Sequence, residues 1–336
     1  MLLDRRSLIA GAAGMIAAPA VLHSQTAAPV TFGIGFGIGF LPAFIADQLK
    51  LFEKYGAQAG MPLSANFVRF SGSSAMQDAL LSGSIDAGAY GVAAMLLAWE
   101  KARGTPLQMF GVAGVTTLPL VLLTKHERIK SLADFTQSDK IAMPATVSPQ
   151  MYALQMASEK MWGAGQHDRL KTNVVSLPHP EALNALLDPN SEVAAYFSSA
   201  PFTQIALRKP GIRKLLTSAD VYGGKSTFLA FGATKKTLEA RPKLSTIVIQ
   251  AMTEAAALIR DDRKQAAAIY TKAEPQKNLS ASEIEALIGE LADDFGPDVH
   301  GVQKTADFML RIGQSKTKLA AWSDAFVPEL ARTKSD

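Results

Sequence analysis

The sequence predicts an α/β chain of two lobes, each a parallel-rich sheet flanked by helices, with a helical C-terminal segment. Three observations predict it. At 336 residues the chain exceeds one ordinary domain. Short apolar runs alternate with amphipathic stretches as far as residue 234, the pattern of parallel sheets covered on both faces. From Lys235 onward the pattern is helical only. No repeat or low-complexity tether divides the chain, so crossing strands are expected to join the lobes.

The elements follow in order. Residues 30–36 read as a buried strand, and Gly37-Ile38-Gly39-Phe40-Leu41-Pro42 as a loop. A helix starts near Pro42, where a missing N–H costs nothing. It carries Phe44, Ile45, Leu49 and Phe52 at helical spacing and ends by Gly56 and Gly60. A strand over 63–70 leads into Ser71-Gly72-Ser73-Ser74, a helix-start signal, and the next helix stops at Gly83. Residues 85–89 are a short strand, 92–103 a helix, and 107–115 and 118–123 strands. Strands at 140–143, 173–177, 193–197, 212–216 and 227–232 then alternate with helices at 148–162, 180–187 and 201–208.

Before all of these stands an export signal over residues 1–28. Arg5-Arg6 precede an uncharged, weakly apolar run, and small residues follow at Ala18-Pro19-Ala20 and Thr26-Ala27-Ala28. The paired arginines fit the twin-arginine type. A membrane anchor is the competing reading, but the run is too short and too rich in Gly and Ala for a bilayer core of roughly 30 Å. Cleavage would lower the net charge of +4 by one. The mature chain is then expected in the periplasm, without a lipid anchor, since there is no cysteine to carry one.

Composition narrows the function. Hydrophobic residues make up 48% and charged residues 19%, a balance that buries a core rather than staying disordered. The absence of cysteine excludes disulfides, thiolate metal sites and a catalytic thiol. None of His23, His126, His167, His179 and His300 pairs at metal-ligand spacing, so no metal and no cofactor is expected. No basic block with interleaved aromatics points to nucleic acid. Gly33, Gly35, Gly37 and Gly39 do not make the dinucleotide fingerprint, because Ile38, Phe40 and Pro42 stand where its third glycine would. Ser315 and Lys318 form an S-x-x-K in a polar segment, best read as chance.

Placement supplies the candidate site. In parallel sheets, ligands bind beyond the carboxyl ends of strands. The residues expected there are Gly39 and Phe40 after the first strand, and Gly72, Ser73 and Ser74 after the second. Tyr90 and Gly91 follow the third strand, and Thr116 and Thr117 the fourth. Thr146 and Ser148, then Ser198 and Ser199, end strands of the second lobe, and Phe228 lies on the return to the first. These segments are rich in Gly, Ser, Thr and aromatics and nearly free of ionisable groups. That suits hydrogen-bonded capture of a small molecule and not acid–base chemistry, so no catalytic residue is expected. His179, between two prolines, reads as a surface turn residue with a pocket role as the alternative. Arg69 reads as a solvated strand-end residue, with a ligand anion as its alternative partner.

The run from Ser71 to Gly91, with Ala79-Leu80-Leu81-Ser82-Gly83 and Ile85-Asp86-Ala87-Gly88 inside it, resembles the periplasmic solute-binding proteins of ABC importers for nitrate, sulfonates, taurine and thiamine precursors. Phe40-Leu41-Pro42-Ala43-Phe44, Leu51-Phe52-Glu53-Lys54-Tyr55-Gly56 and Ile129-Lys130-Ser131-Leu132-Ala133-Asp134-Phe135 agree with that likeness. It implies the two-lobe, type II-like periplasmic-binding-protein fold, with lobe one at 29–118 plus 222–331, lobe two at 119–221 and a flexible tail at 332–336. It also implies capture of a small, sulfonate- or carboxylate-like anion between the lobes, delivery to an inner-membrane permease, and a monomer. The chain departs from the family pattern at Val92-Ala93-Ala94, where a proline is usual. It departs again before Pro201, where an acidic residue is missing. An enzyme on the same fold (a desulfinase or a pyrimidine-precursor synthase) and a solute-presenting sensor are the alternatives.

Overall fold

The structure, a computed structural model, describes residues 28–275 and 277–330. The expected export signal lies outside them except for Ala28, and the expected tail lies outside them altogether. The chain opens with β1 (Ala28–Ile34), α1 (Leu41–Gln48), α2 (Leu51–Gln58), β2 (Leu63–Arg69), α3 (Ser73–Ser82), β3 (Ala87–Gly91), α4 (Val92–Lys101) and β4 (Met109–Thr116). Next come β5 (Val121–Thr124), β6 (Lys140–Met143), α5 (Pro149–Trp162), β7 (Val174–Ser176), α6 (His179–Leu187), β8 (Val193–Ser198), α7 (Phe202–Leu207) and β9 (Arg213–Thr217). The chain returns through α8 (Ser218–Tyr222) to β10 (Leu229–Thr234) and continues as α9 (Lys235–Ala240), α10 (Leu244–Asp261), α11 (Arg263–Ala273), α12 (Ala281–Leu291) and α13 (Val302–Arg311).

Two five-stranded sheets result, ordered β2-β1-β3-β10-β4 and β7-β6-β8-β5-β9. In the first, β1 is parallel to β2 and β3, and β10 runs against β3 and β4. In the second, β6 is parallel to β7 and β8, and β5 runs against β8 and β9. The sheets are therefore mixed, each with one reversed strand. The reason is the crossing itself. β5 arrives from the other sheet through a short loop and β10 through only the five-residue α8, neither long enough to carry the strand back along its sheet, so each enters at the end where its parallel neighbours leave. Val121 at the start of β5 pairs with Ser198 at the end of β8, and Leu229 at the start of β10 pairs with Gly91 and Thr116.

The central strands are buried on both faces, as β3, β8 and β10 show throughout their lengths. Phe32 of β1 stacks on Phe52 at 4.4 Å and on Phe67 at 5.5 Å, with the edge of Phe231 at 6.0 Å, so four elements share one aromatic cluster. The expected first helix is two helices. Lys50 takes a left-handed conformation (φ 54°) between α1 and α2, and the second helix runs through Gly56 rather than stopping there. That break brings Phe52 flat over β1. α8 was not anticipated; Thr217 and Asp220 cap it reciprocally, with Asp220 N–H donating to Thr217 Oγ1 at 3.2 Å and Thr217 N–H to Asp220 Oδ2 at 2.8 Å.

The C-terminal segment is not wholly helical. Phe326 bridges Gly111 beside β4, and Phe295 bridges Thr116. α10 buries Ile247, Val248, Ala251, Met252 and Ala255 against the first sheet and its helices. α13 reaches the second sheet's helices. Arg311 pairs with Glu159 of α5 at 2.6 Å, and Tyr222 of α8 shares a hydrogen bond with Thr305 at 3.1 Å.

Phe52→Ala should cost about 3–5 kcal/mol, because it empties the centre of the aromatic cluster and removes the ring that Phe32, Phe67 and Phe231 all pack against. Equilibrium urea unfolding measures it, and a loss under 1 kcal/mol would mean that the cluster repacks.

Candidate functional site

The alternation of parallel strands and reversed entrants puts the outgoing strand ends of one sheet opposite those of the other. Between these ends lies a cavity of about 550 Å³. The first sheet contributes Gly35, Phe36, Gly39 and Phe40 after β1, and Phe70, Ser71, Gly72 and Ser73 at the entry to α3. Ala89–Gly91 of β3, Phe228 just before β10 and Leu229 at its start complete that wall. Opposite stand Pro144, Ala145 and Ser148–Gln150 after β6, Pro178–Pro180 after β7, and Ser199, Ala200 and Phe202 after β8. The chain beyond α11 adds Glu274, Pro275, Lys277 and Asn278 at the rim.

Two glycines are demanded by close approach. A Cβ on Gly35 would fall 2.7 Å from the ring of Phe40, which folds back over the β1 end. A Cβ on Gly91 would fall 2.8 Å from the ring of Pro149, where the first sheet touches the helix of the second. Both are places where only glycine lets backbone and ring meet.

Of the residues expected at the site, Gly39, Phe40, Gly72, Ser73, Tyr90, Gly91, Ser148, Ser199 and Phe228 line the cavity. Five do not. Ser74 faces solvent one residue into α3, and Thr146 is exposed in the turn before α5. Thr116 and Thr117 turn away to the C-terminal segment. Both hydroxyls donate to the Asp294 carbonyl, at 2.9 and 3.3 Å. Ser198 is buried behind the wall, donating to the Val121 carbonyl at 3.0 Å and bonded to Thr203 at 2.7 Å.

Local structure assigns the hydroxyls different work. Ser148 caps α5, accepting from Met151 N–H at 3.3 Å, while its own proton goes to the Ala145 carbonyl at 2.7 Å. α3 begins differently. Gly72 is its N-cap and no side chain caps it, so neither Ser71 nor Ser73 serves as one. The first turn of a helix leaves N–H groups without internal partners and with partial positive charge. At α3 its start, Gly72 and Ser73, lines the cavity, and Ser73 Oγ accepts from Gly91 N–H at 3.5 Å. Tyr90 lies in the wall, but its phenol is buried beside Gly232 and finds no hydrogen-bond partner among the described residues. Burial pushes its pKa up.

Among the ionisable groups in or beside the wall, His179 and Glu274 line it and Arg69 lies behind it, and of these three only Glu274 is not singled out by the sequence. Arg69 neither floats in solvent nor waits for a ligand. It donates to Glu274 at 3.3 Å and to the Ala273 carbonyl at 2.8 Å, between the rings of Phe36 and Phe44. Glu274 also accepts from Gly37 N–H, at 2.8 and 3.0 Å. This carboxylate therefore ties the β1 loop, the β2 end and the helical segment together. Sequence distance hid it, since 205 residues separate Glu274 from Arg69. His179 is a wall residue rather than a surface turn. Its ring stacks on Phe202 at 5.2 Å, its Nδ1 meets the Tyr196 hydroxyl and its Nε2 lies 3.1 Å from Ser199 Oγ. Desolvation of the ring pushes its pKa down from 6.5 to about 4. Phe36, Phe70 and Phe202 were missed although each directly follows or nearly follows a strand, so the strand-end rule extended to the next aromatic would have found them.

A model of the NMT1-like family matches residues 24–273. Among curated proteins, none matches the chain. Solved structures resemble it over most of its length. The periplasmic aliphatic sulphonate-binding protein SsuA from Escherichia coli is 21% identical, with 89% of this chain and 98% of that one covered and a TM-score of 0.65. The alkanesulfonate-binding protein SsuA from Xanthomonas axonopodis pv. citri, bound to MOPS, is 16% identical over 89% and 98%, with a TM-score of 0.69. The periplasmic nitrate-binding protein NrtA from Synechocystis PCC 6803 is 16% identical over 78% and 70%, with a TM-score of 0.60. At these identities the likeness concerns the fold, and the fold is that of these periplasmic binding proteins.

The depressed pKa of His179 makes stability depend on pH. Between pH 6.5 and 4 the unfolded chain binds a proton at this residue that the folded chain does not. Stability from this group is therefore full above pH 6.5, falls with acid by up to about 1.4 kcal/mol per pH unit, and levels below pH 4. Urea midpoints of wild type and His179→Gln compared across that range should differ in slope, and parallel curves would contradict the shift.

Proposed function

The chain belongs to the NMT1-like family, and on that premise we propose that it is the solute-binding component of an ABC importer. On this reading it captures a small organic molecule in the cavity and hands it to a membrane permease. The observation that carries the proposal is the cavity of about 550 Å³, built from strand ends of both sheets. Its volume suits a small ligand, and its wall is mostly apolar, rich in aromatic rings and prolines, with a few hydroxyls and backbone donors, the usual make-up of a small-molecule site. The names of the structural neighbours, sulphonate- and nitrate-binding proteins, support the same class.

The solute we propose has an apolar body and a sulfonate- or carboxylate-like end. The rings of Phe36, Phe40, Phe202 and Phe228 would cover the body. The first turn of α3 would receive the oxygens through its unpaired N–H groups, with Ser73 as an added donor. Lobe one over 29–118 plus 222–331 and lobe two over 119–221 would close on it through the two crossings near Thr116–Pro119 and Tyr222–Lys225. The paired arginines near the start of the sequence support export by the twin-arginine route and work outside the cytoplasm. No helix among the described residues is long and apolar enough to cross a membrane.

A thermal-shift screen of sulfonates, carboxylates, nitrate and pyrimidines tests the proposal. A true solute at 100 times its dissociation constant should add about 2.7 kcal/mol of stability. No stabilising solute would sink it. For a solute that scores, Ser73→Ala and Ser199→Ala should each weaken binding about tenfold, or 1.4 kcal/mol, with little change in the ligand-free melting temperature for Ser73→Ala. Small-angle scattering should show a smaller radius of gyration with that solute bound. An unchanged radius would argue for a rigid pocket.

A further inference from the structure

Tyr196, His179 and Ser199 reach one another from β8, the start of α6 and the turn after β8. At first sight they look like a serine nucleophile, its base and an orienting group. The distances allow it, since His179 Nε2 is 3.1 Å from Ser199 Oγ and Nδ1 meets the Tyr196 hydroxyl.

Proton positions separate the two possibilities. Tyr196 is fully buried, and His179 Nδ1 is its hydroxyl's hydrogen-bond partner among the described residues. A phenol carries one proton, and a neutral imidazole carries one proton on one of its two nitrogens. Were that proton on Nδ1, it would point at the Tyr196 oxygen, and the phenol's own proton would be buried without an acceptor. Folded proteins avoid that state. The phenol must therefore donate to Nδ1. The ring proton is then on Nε2 and is donated to Ser199 Oγ. The Ser199 proton, unclaimed by the histidine, is left facing the cavity that Ser199 lines. Two further facts agree. Burial raises the pKa of the Tyr196 phenol, which keeps it a donor, and lowers that of the imidazole, which keeps the ring neutral.

We infer that Tyr196, His179 and Ser199 form a one-way hydrogen-bond chain that presents the Ser199 hydroxyl to the cavity as a donor, so that this wall selects a solute with an acceptor atom there and is not a nucleophile–base pair. The inference deepens the solute-binding reading of the same cavity. It makes Ser199 the specificity-determining contact and Tyr196 a positioning residue that acts through His179. A histidine whose Nε2 already holds a proton cannot take one from Ser199, so the trio lacks the first step of acyl transfer.

The test needs no solute. In ligand-free protein labelled with nitrogen-15 histidine at pH 7, two-bond nitrogen–proton correlations should show His179 protonated at Nε2 and bare at Nδ1, the resonance being assigned by its loss in His179→Gln. Protonation at Nδ1, or at both nitrogens, would overturn the chain. In Tyr196→Phe the preference for Nε2 should give way to a mixture of tautomers, whereas a folded variant with an unchanged spectrum would remove Tyr196 from the argument. If that variant does not fold, the wild-type spectrum still decides. Diisopropyl fluorophosphate should leave Ser199 unmodified by mass spectrometry, and a rapid adduct there would restore the nucleophile. Because these readings are made without solute, an empty solute screen would strike the importer proposal and leave the chain standing.

Discussion

Asp294 stands where both crossings between the sheets meet. Its carbonyl accepts from Thr116 and Thr117 on the first crossing, at 2.9 and 3.3 Å, and its carboxylate pairs with Lys225 on the second, at 2.9 Å. The crossings also hold each other directly, through Phe228 N–H to the Thr116 carbonyl at 2.9 Å and Leu120 N–H to Ser218 Oγ at 3.0 Å. Irregular backbone must find partners for its polar groups, and here the helical segment supplies them. Everything at the cavity follows from this junction. It decides that β5 and β10 enter their sheets reversed, and hence that the outgoing strand ends face one another across a gap.

The polar wall divides into groups that are already engaged and groups that are not. Arg69 and Glu274 satisfy each other and the β1 loop, so their charges hold architecture together. Ser148 is consumed by α5. Among the groups left for a solute are the first turn of α3 with the proton of Ser73, whose oxygen accepts from Gly91 N–H at 3.5 Å, and the far end of the Tyr196–His179–Ser199 chain. These lie on opposite walls, one from each sheet. A molecule that satisfies both must span the gap, which is the geometric condition for drawing two lobes together.

Much of this was legible in the sequence because the relevant signals are local. Strand and helix alternation depends on period and on punctuation by Gly, Pro and Ser, so β6 was placed to the residue and α5 to within one. Ser73, Gly91 and Ser199 followed from the rule that ligands sit beyond strand ends. Several failures at the site share one cause, which is partners away in sequence. Thr116 and Thr117 also end a strand, but Asp294 claims them. Arg69 is claimed by Glu274, and His179 is drawn inward by Tyr196 and Phe202. The helix break at Lys50 rests on a single backbone conformation that no side-chain pattern announces. The capping box at Thr217 and Asp220, by contrast, was there to be read as T-x-x-D.

The aromatic and proline wall has a thermodynamic consequence. Phe36, with half its surface exposed at 52%, and the rings around it present apolar surface to the cavity. Covering that surface changes heat capacity more surely than it changes enthalpy at any one temperature. Association in this cavity therefore carries a negative heat-capacity change, and its enthalpy grows more favourable on warming. A calorimeter run at several temperatures would read the character of the wall directly from the slope, whatever the chemical identity of the molecule that fills it.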